Sequence, residues 1–163
     1  MMAYHFVNAT LRDGRPVPPD GEWLEHDGAV VMCESGLHAS LTPWQALQYA
    51  PGAVLCRVEL DGDIQTDSDK MVGRRRRILA RVDLTDAMRA YARAEASRVL
   101  HLWDAPQVVK DYLATGDESI RYAARAAAWA AAGAAARAAA RTAARAASRD
   151  RFNALADAAL EGR

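Results

Sequence analysis

A cysteine and a histidine lie five residues apart, on either side of a glycine, in the run CESGLHAS at residues 33–40. A thiol beside an imidazole is the arrangement of a cysteine nucleophile with its general base. With His5 and Cys56 added, Cys33 and His38 also make up a two-Cys, two-His set that suits tetrahedral zinc. The spacing favours neither chemistry. Five residues across a tight turn rarely bring two side chains into contact, and the chain has no CxxC or HxxxH pair for zinc. A GxSxG elbow for a serine nucleophile is also absent. We therefore expect no metal. For His38 we expect a backbone hydrogen bond or contact with solvent, and a role in catalysis is the alternative.

Four consecutive arginines at residues 74–77 form the strongest charge cluster of the chain. Such a cluster is typical of sites that bind phosphate or nucleic acid. No aromatic residue is interleaved with it, and the alternation of a strand would divide it between two faces. We therefore favour ion pairs within the chain, with acidic partners from Glu59, Asp61, Asp63 and Asp67. The alternative keeps Arg75, Arg77 and Arg81 as binding residues.

The first 84 residues predict a small antiparallel sheet. Period-two alternation of apolar residues is clearest at 53–60 and 75–84, and two strands of this kind could share one apolar face. In the second of them Ile78, Ala80, Val82 and Leu84 are predicted to point to one side. Shorter strands are predicted at 3–8, 22–26 and 29–33, with a hairpin turn at Asp27-Gly28 between the last two.

The elements around His38 have simple local signals. Gly36 predicts a turn with positive φ after the strand 29–33, followed by a short extended piece. Thr42-Pro43 predicts a helix start, with threonine as the N-cap and proline at the first helical position. Pro51-Gly52 then ends that helix.

From Thr85 onward the pattern is helical, with a restart after Pro106 and a stop at Thr115-Gly116. The segment 117–161 is rich in alanine and arginine, and it predicts either one long helix or a hairpin broken near Gly133. Alanine favours helix but buries little area, so this segment is expected to need a packing partner. Trp129 interrupts the series of arginines and is a candidate contact residue.

The predicted fold class is α+β, with a β-rich domain at 1–84 that carries one short helix and an Ala/Arg-rich all-α region at 85–163. The formal net charge is zero, but residues 1–69 carry 3 basic and 11 acidic side chains, whereas 70–83 carry 6 basic and 1 acidic. We expect these parts to attract each other, within one chain or between copies. Two cysteines without a motif suit a cytoplasmic setting, and no segment resembles a membrane span.

Part of the chain resembles a known family of small phage, prophage and bacterial proteins, a domain of unknown function. The resemblance covers about residues 3–84. It rests on CESGLHAS and on four later runs: ALQYAPG, RVELDGDI, DSDK and RRRRI. Some relatives end in an alanine-rich helical tail. The resemblance implies a phage-linked origin and no particular activity.

A second resemblance is to the ADP-ribosyltransferase fold. YHFVN at 4–8, GLHAS at 36–40 and ALQY at 46–49 follow the order of a first strand, a Gly-x-His/aromatic step and a helix in those enzymes. The resemblance implies NAD as cosubstrate. It also implies His5 as the ribose-holding residue, His38 at the stacking position and Glu59 as the carboxylate at the oxocarbenium-like centre.

Three functions follow from these patterns. The first is a non-enzymatic interaction module without a cofactor, which forms a homo-oligomer or binds a protein partner through its alanine-rich helices. The second is an NAD-using enzyme with His5, His38 and Glu59 in its cleft. The third is a nucleic-acid or phosphate binder that uses Arg74–Arg77.

Overall fold

A computed structural model describes residues 1–131 and 134–162, with side chains throughout these ranges except at 134–143 and 146. The predicted α+β fold class is confirmed: antiparallel sheets in the N-terminal part are followed by several helices. The strands are β1 (Met2–Val7), β2 (Trp23–Glu25), β3 (Leu37–Ala39), β4 (Val54–Asp61), β5 (Gln65–Thr66), β6 (Met71–Gly73) and β7 (Arg75–Asp83). The helices are α1 (Pro43–Leu47), α2 (Thr85–Arg98), α3 (Gln107–Thr115), α4 (Arg121–Ala131) and α5 (Ala134–Glu161), with a 3₁₀ turn at Leu100–Leu102.

The contacts of the chain divide it into two compact units. The first unit contains Met1–Thr85 together with Phe152–Arg163, and the second contains Asp86–Arg151. The sequence suggested a division into 1–84 and 85–163, without the return of the last residues to the first unit. Gly133, where a break in the long helix was considered, lies outside the described residues.

The first unit has two antiparallel sheets. One has the strand order β1-β4-β7-β2 and the other β3-β6-β5. A two-way backbone bridge between Tyr4 and Ser40 joins β1 to the residue that follows β3, with both N···O distances 2.8 Å. A core of small and medium apolar side chains lies on one face of the larger sheet; its members are Ala3, Val7, Ala39, Cys56, Val58, Leu60, Met71 and Ile78.

The C-terminal part of α5 completes the first unit. Tyr4 donates its hydroxyl to Asp157, at 3.0 Å, and successive side chains of a strand point to opposite faces. The end of α5 therefore lies on the face of β1 opposite to the one that carries the core side chains Ala3 and Val7. Phe152 is fully buried and packs edge-on against Trp44, with ring centroids 6.1 Å apart.

The predicted strand at 29–33 is wrong, and so is its hairpin with residues 22–26. The chain forms a tight turn there, in which the N–H groups of Glu34 and Ser35 both donate to the carbonyl of Val31. The side-chain N–H of Gln65 donates to the carbonyl of Val30 at 2.8 Å. The backbone at this point therefore bonds to a side chain instead of to a neighbouring strand. β2 pairs with β7 instead.

The alternation predicted for β7 fails after Ile78. Val58 pairs with Ile78 while Arg57 pairs with Ala80, so Leu79 is the extra residue of a β-bulge. One extra residue exchanges the two faces of the rest of the strand. Arg81 therefore lies opposite Cys56 on the core face, and Val82 lies opposite Leu55 on the other face.

The signals around α1 are confirmed. Thr42 is an extended N-cap that accepts the N–H of Gln45, and Pro43 opens the helix. Gly36 has a φ of 112°, and a Cβ there would come within 2.5 Å of a Val72 methyl group. An L-residue at this position would thus be both strained and blocked.

The second unit is built around its own small cluster. Ala105, Val109 and Ala124 are buried where α3 and α4 pack together. Within this unit Arg151 donates its Nε to Glu95 at 2.6 Å. α3 ends as predicted, with Gly116 in the left-handed conformation at φ 70°.

We expect Phe152→Ala to lower the free energy of unfolding by about 3–5 kcal/mol, because it leaves a cavity in a fully buried site. Urea unfolding followed by the fluorescence of Trp44, its contact partner, measures the change. Leu41→Ala, at an exposed site of the same unit, is the control and should change stability by less than about 1 kcal/mol. Equal effects of the two substitutions would contradict the placement of Phe152 in this core.

Candidate functional site

A pocket of about 940 Å³ lies in the first unit. This volume is at the upper end of the range for small-molecule sites. Its lining includes both predicted histidines, His5 and His38, and one member of the arginine cluster, Arg76. The strand pairing explains why these three residues meet.

His5 and His38 are brought together by the contact between β1 and β3. His5 alternates with Ala3 and Val7, both of which belong to the core, so its ring points to the core face of the large sheet. The bridge between Tyr4 and Ser40 places β3 beside β1. His38 then lines the same pocket, and its Nε2 accepts the backbone N–H of Cys33 at 3.2 Å.

Arg76 lies on the interior strand β7, directly opposite Leu60 of the core face. It is only 7% exposed, and one of its terminal nitrogens donates to the backbone carbonyl of His38. Within the part of the chain that the structure describes, no carboxylate forms an ion pair with this guanidinium. Burial lowers the pKa of Arg76 to about 10, so the group is still cationic at neutral pH.

The two histidines are kept neutral by their surroundings. Burial lowers the pKa of His5 well below its ordinary value, and the charge of Arg76 lowers it further. Burial also lowers the pKa of His38, and the positive charges of Arg76, Lys70 and Arg12 lower it further. A hydrogen bond to the Gly36 backbone acts in the opposite direction and raises it. Because Nε2 of His38 accepts a hydrogen bond, the neutral ring carries its proton on Nδ1.

Cys33, Lys70 and Tyr49 also line the pocket. Cys33 is exposed and has a φ of 67°, an uncommon conformation for a residue other than glycine. Contact with the Cys33 thiol raises the pKa of Lys70. The ammonium of Lys70 lies 5.4 Å from the centre of the Tyr49 ring, and the Tyr49 hydroxyl donates to Asp69 at 2.6 Å.

The remaining members of the arginine cluster form ion pairs within the chain, as favoured from the sequence. Arg75 binds Asp61 and Arg77 binds Glu59, each with its Nε 2.8 Å from the carboxylate. Arg74 binds Asp63, also at 2.8 Å from Nε. Arg75 and Arg77 flank the Trp23 ring as well, each 4.7 Å from its centre.

The other sequence candidates lie outside the pocket lining. Glu59 alternates with the core residues Val58 and Leu60, so it points to the other face of the sheet, where it pairs with Arg77. It does not line the pocket with His5 and His38. Arg81 donates its Nε to Asp20 at 2.7 Å. Trp129 is on α4 of the second unit and is 74% exposed.

The zinc set considered from the sequence is not assembled. Cys56 is fully buried, and burial raises the pKa of its thiol to about 11, whereas Cys33 is exposed. Among the described residues, no group of three or more His, Cys, Asp or Glu side chains is arranged to hold a metal ion.

Arg76 is the site residue that sequence reasoning missed. It has the same strand phase as Ile78, so the alternation already placed it on the apolar face. A charged residue in an apolar phase is the informative exception in such a pattern. The alternation divides the four arginines between two faces, but the predicted binding residues, Arg75, Arg77 and Arg81, are those in the polar phase.

The N-terminal part matches one known family over residues 1–90, the domain of unknown function DUF7666. The chain belongs to this family. No curated protein and no solved structure shows significant similarity to the chain. The phage-linked origin implied by the sequence resemblance stays a prediction. In the described ranges, none of the helices combines the length and the hydropathy needed to cross a bilayer.

We expect the free energy of unfolding to fall as the pH drops below about 6.5, because unfolded histidines bind protons that the folded pocket rejects. Each of the two pocket histidines can contribute up to about 1.4 kcal/mol per pH unit between its unfolded and folded pKa values. The double variant His5→Asn and His38→Asn should have a flatter profile. Urea unfolding between pH 7.5 and 5.5 measures it.

His101→Asn is the control, since His101 is exposed in the second unit. It should keep the wild-type profile. If the double variant and wild type had parallel profiles, the neutral state of the two pocket histidines would be contradicted.

Proposed function

We propose that the first unit is a binding module for a small anionic molecule, whose negative group contacts Arg76 between His5 and His38. The observation that carries this proposal is a guanidinium that is 7% exposed, lines a pocket and has no carboxylate partner among the described residues. A buried charge without a partner is unfavourable by several kcal/mol, so such groups are normally paired. An anionic ligand would supply the missing charge.

The donors of Arg76 suit an oxyanion. A guanidinium has five N–H donors in one plane, and the carbonyl of His38 takes only one of them. The fork that remains matches phosphate or carboxylate oxygens in a bidentate contact. The pocket volume of about 940 Å³ leaves room for a molecule of nucleotide size.

We propose an NAD-using transferase as the second candidate function. His5 and His38 line one pocket, as that proposal requires. The carboxylate it assigned to the reaction centre, Glu59, pairs with Arg77 instead. Asp13 is the one acidic residue in the described lining, and it pairs with Arg15.

We expect inorganic phosphate to raise the thermal unfolding temperature of wild type but not of Arg76→Met, because a ligand that binds only the folded state stabilises it by mass action. Scanning fluorimetry with increasing phosphate at constant ionic strength measures the shift. Without phosphate, Arg76→Met should be at least as stable as wild type, since an apolar side chain replaces a buried charge.

Arg75→Met is the matched control. Arg75 precedes Arg76 on the same strand, but it points to the other face and pairs with Asp61. This variant should keep the phosphate shift. A shift in Arg76→Met equal to that of wild type, or no shift in wild type, would refute the proposed site.

We also propose that the second unit self-associates through α4, as the interaction-module hypothesis requires. Tyr122 and Trp129 are 85% and 74% exposed. Seven residues make nearly two helical turns, so both rings lie on the same side of α4. The exposed alanines beside them, such as Ala126 and Ala130, allow the close approach of a second helix. Residues 86–151 carry 11 basic and 7 acidic side chains, so charge does not favour this contact and the aromatic rings and alanines have to supply it. A second copy of the chain, which presents the same small-residue face, is the proposed occupant.

We expect wild type to exceed its monomer mass of 17.7 kDa in light scattering, and the double variant Tyr122→Ser and Trp129→Ser to return to it, because the aromatic contact area is lost. Leu102→Ser, at another exposed apolar site of the second unit, should leave the wild-type mass unchanged. A wild-type mass of one chain at every concentration tested would refute self-association.

A further inference from the structure

The lining of the pocket carries a second set of cations besides Arg76. Arg12, Arg15 and Lys70 all belong to it. Arg15 is neutralised by Asp13, with Nε 2.8 Å from the carboxylate. Neither Arg12 nor Lys70 forms an ion pair in the described part of the chain. Arg12 and Lys70, two cations without an ion pair, therefore line the pocket together with the buried Arg76.

A chain of contacts connects Arg76 to Lys70. Arg76 binds the carbonyl of His38, and the ring of His38 accepts the N–H of Cys33. The thiol of Cys33 contacts the ammonium of Lys70, which is only half-buried. Arg76 is buried and Arg12 is exposed, so the cations of the lining include one shielded from solvent and one open to it.

A single small anion would occupy only one part of this charged path. Once a phosphate or carboxylate is bound at Arg76, Lys70 and Arg12 still form no ion pair with a described carboxylate, although Asp69 acts on Lys70 from a distance. A ligand with two linked anionic groups would reach both parts, and a chelating ligand of this kind gains affinity without a second loss of translational freedom.

We propose that the natural ligand of the Arg76 pocket carries a diphosphate, with one phosphoryl group at Arg76 and the second at Lys70 and Arg12. This inference rests on the proposed anion-binding function of the same pocket. Tyr49, exposed in the lining, has the Lys70 ammonium over one face of its ring, and its other face is the one proposed for a planar organic group attached to the diphosphate. A nucleoside diphosphate has this combination of groups, whereas inorganic pyrophosphate has the charges alone.

The test compares phosphate, pyrophosphate and ADP on the full-length protein by calorimetry at constant ionic strength. In wild type, pyrophosphate should bind at least about tenfold more tightly than phosphate, because it engages both sets of cations. ADP should bind at least as tightly as pyrophosphate if the organic group contacts the pocket. Weaker binding of ADP than of pyrophosphate would overturn the nucleotide assignment.

Two variants separate this inference from the proposed function. Lys70→Met and Arg12→Met should each weaken pyrophosphate binding by about three- to tenfold, as expected for partly exposed charge contacts, and change phosphate binding by less than about twofold. Arg76→Met should abolish the binding of both anions. Lys110→Met, the other lysine of the chain and in the second unit, should affect neither.

The diphosphate inference alone is overturned if wild type binds phosphate through Arg76 but binds pyrophosphate no more tightly. It is also overturned if Lys70→Met and Arg12→Met leave pyrophosphate binding unchanged. If Arg76→Met binds both anions like wild type, the proposed function fails as well.

Discussion

The charge of Arg76 is held away from water, and within the described residues it donates to one backbone carbonyl and pairs with no carboxylate; this constraint governs the electrostatics of the pocket. β7 is an interior strand, bonded to β4 on one side and β2 on the other, so its backbone cannot move to carry the guanidinium outward. The core beneath β7 is made of small and medium apolar side chains, which offer no acceptor. The guanidinium of Arg76 therefore donates to the carbonyl of His38 and otherwise faces the pocket.

Arginine side chains lie on both faces of the large sheet, but their electrostatic surroundings differ between the two faces. Arg75 and Arg77 lie on one face, where cross-strand carboxylates neutralise them. Exposed pairs of this kind contribute about 0–1 kcal/mol, so they mainly keep that face free of excess charge. Arg76, between them in sequence, points to the other face and keeps its charge. The neutral histidines beside it add no further positive charge near pH 7, so the electrostatic field of the pocket depends on the arginine and lysine side chains.

Much of the first unit could be predicted from local chemistry. Period-two alternation located the long strands β4 and β7, and Thr42-Pro43 located α1, because these signals act within a few residues. The strand predicted at 29–33 failed because its hydrogen bonds go to the side chain of Gln65, more than thirty residues away. The phase of β7 after Ile78 failed because a bulge at Leu79 has no clear signal in one sequence. The presence of His5 and His38 in one cleft was expected from resemblance, but the position of Arg76 in the same lining depends on which strands neighbour β7.

The first unit is discontinuous in the chain. Trp44 comes before the second unit in sequence, and Phe152, which packs against it, comes after that unit. During translation, residues 1–85 therefore emerge with part of their sheet still uncovered. The residues that complete this unit, from Phe152 onward, leave the ribosome only after the intervening 86–151. Proteins usually fold N-terminal domains first, as soon as they leave the ribosome. Here the helical insertion has the first opportunity to fold completely, and the pocket-bearing unit closes last.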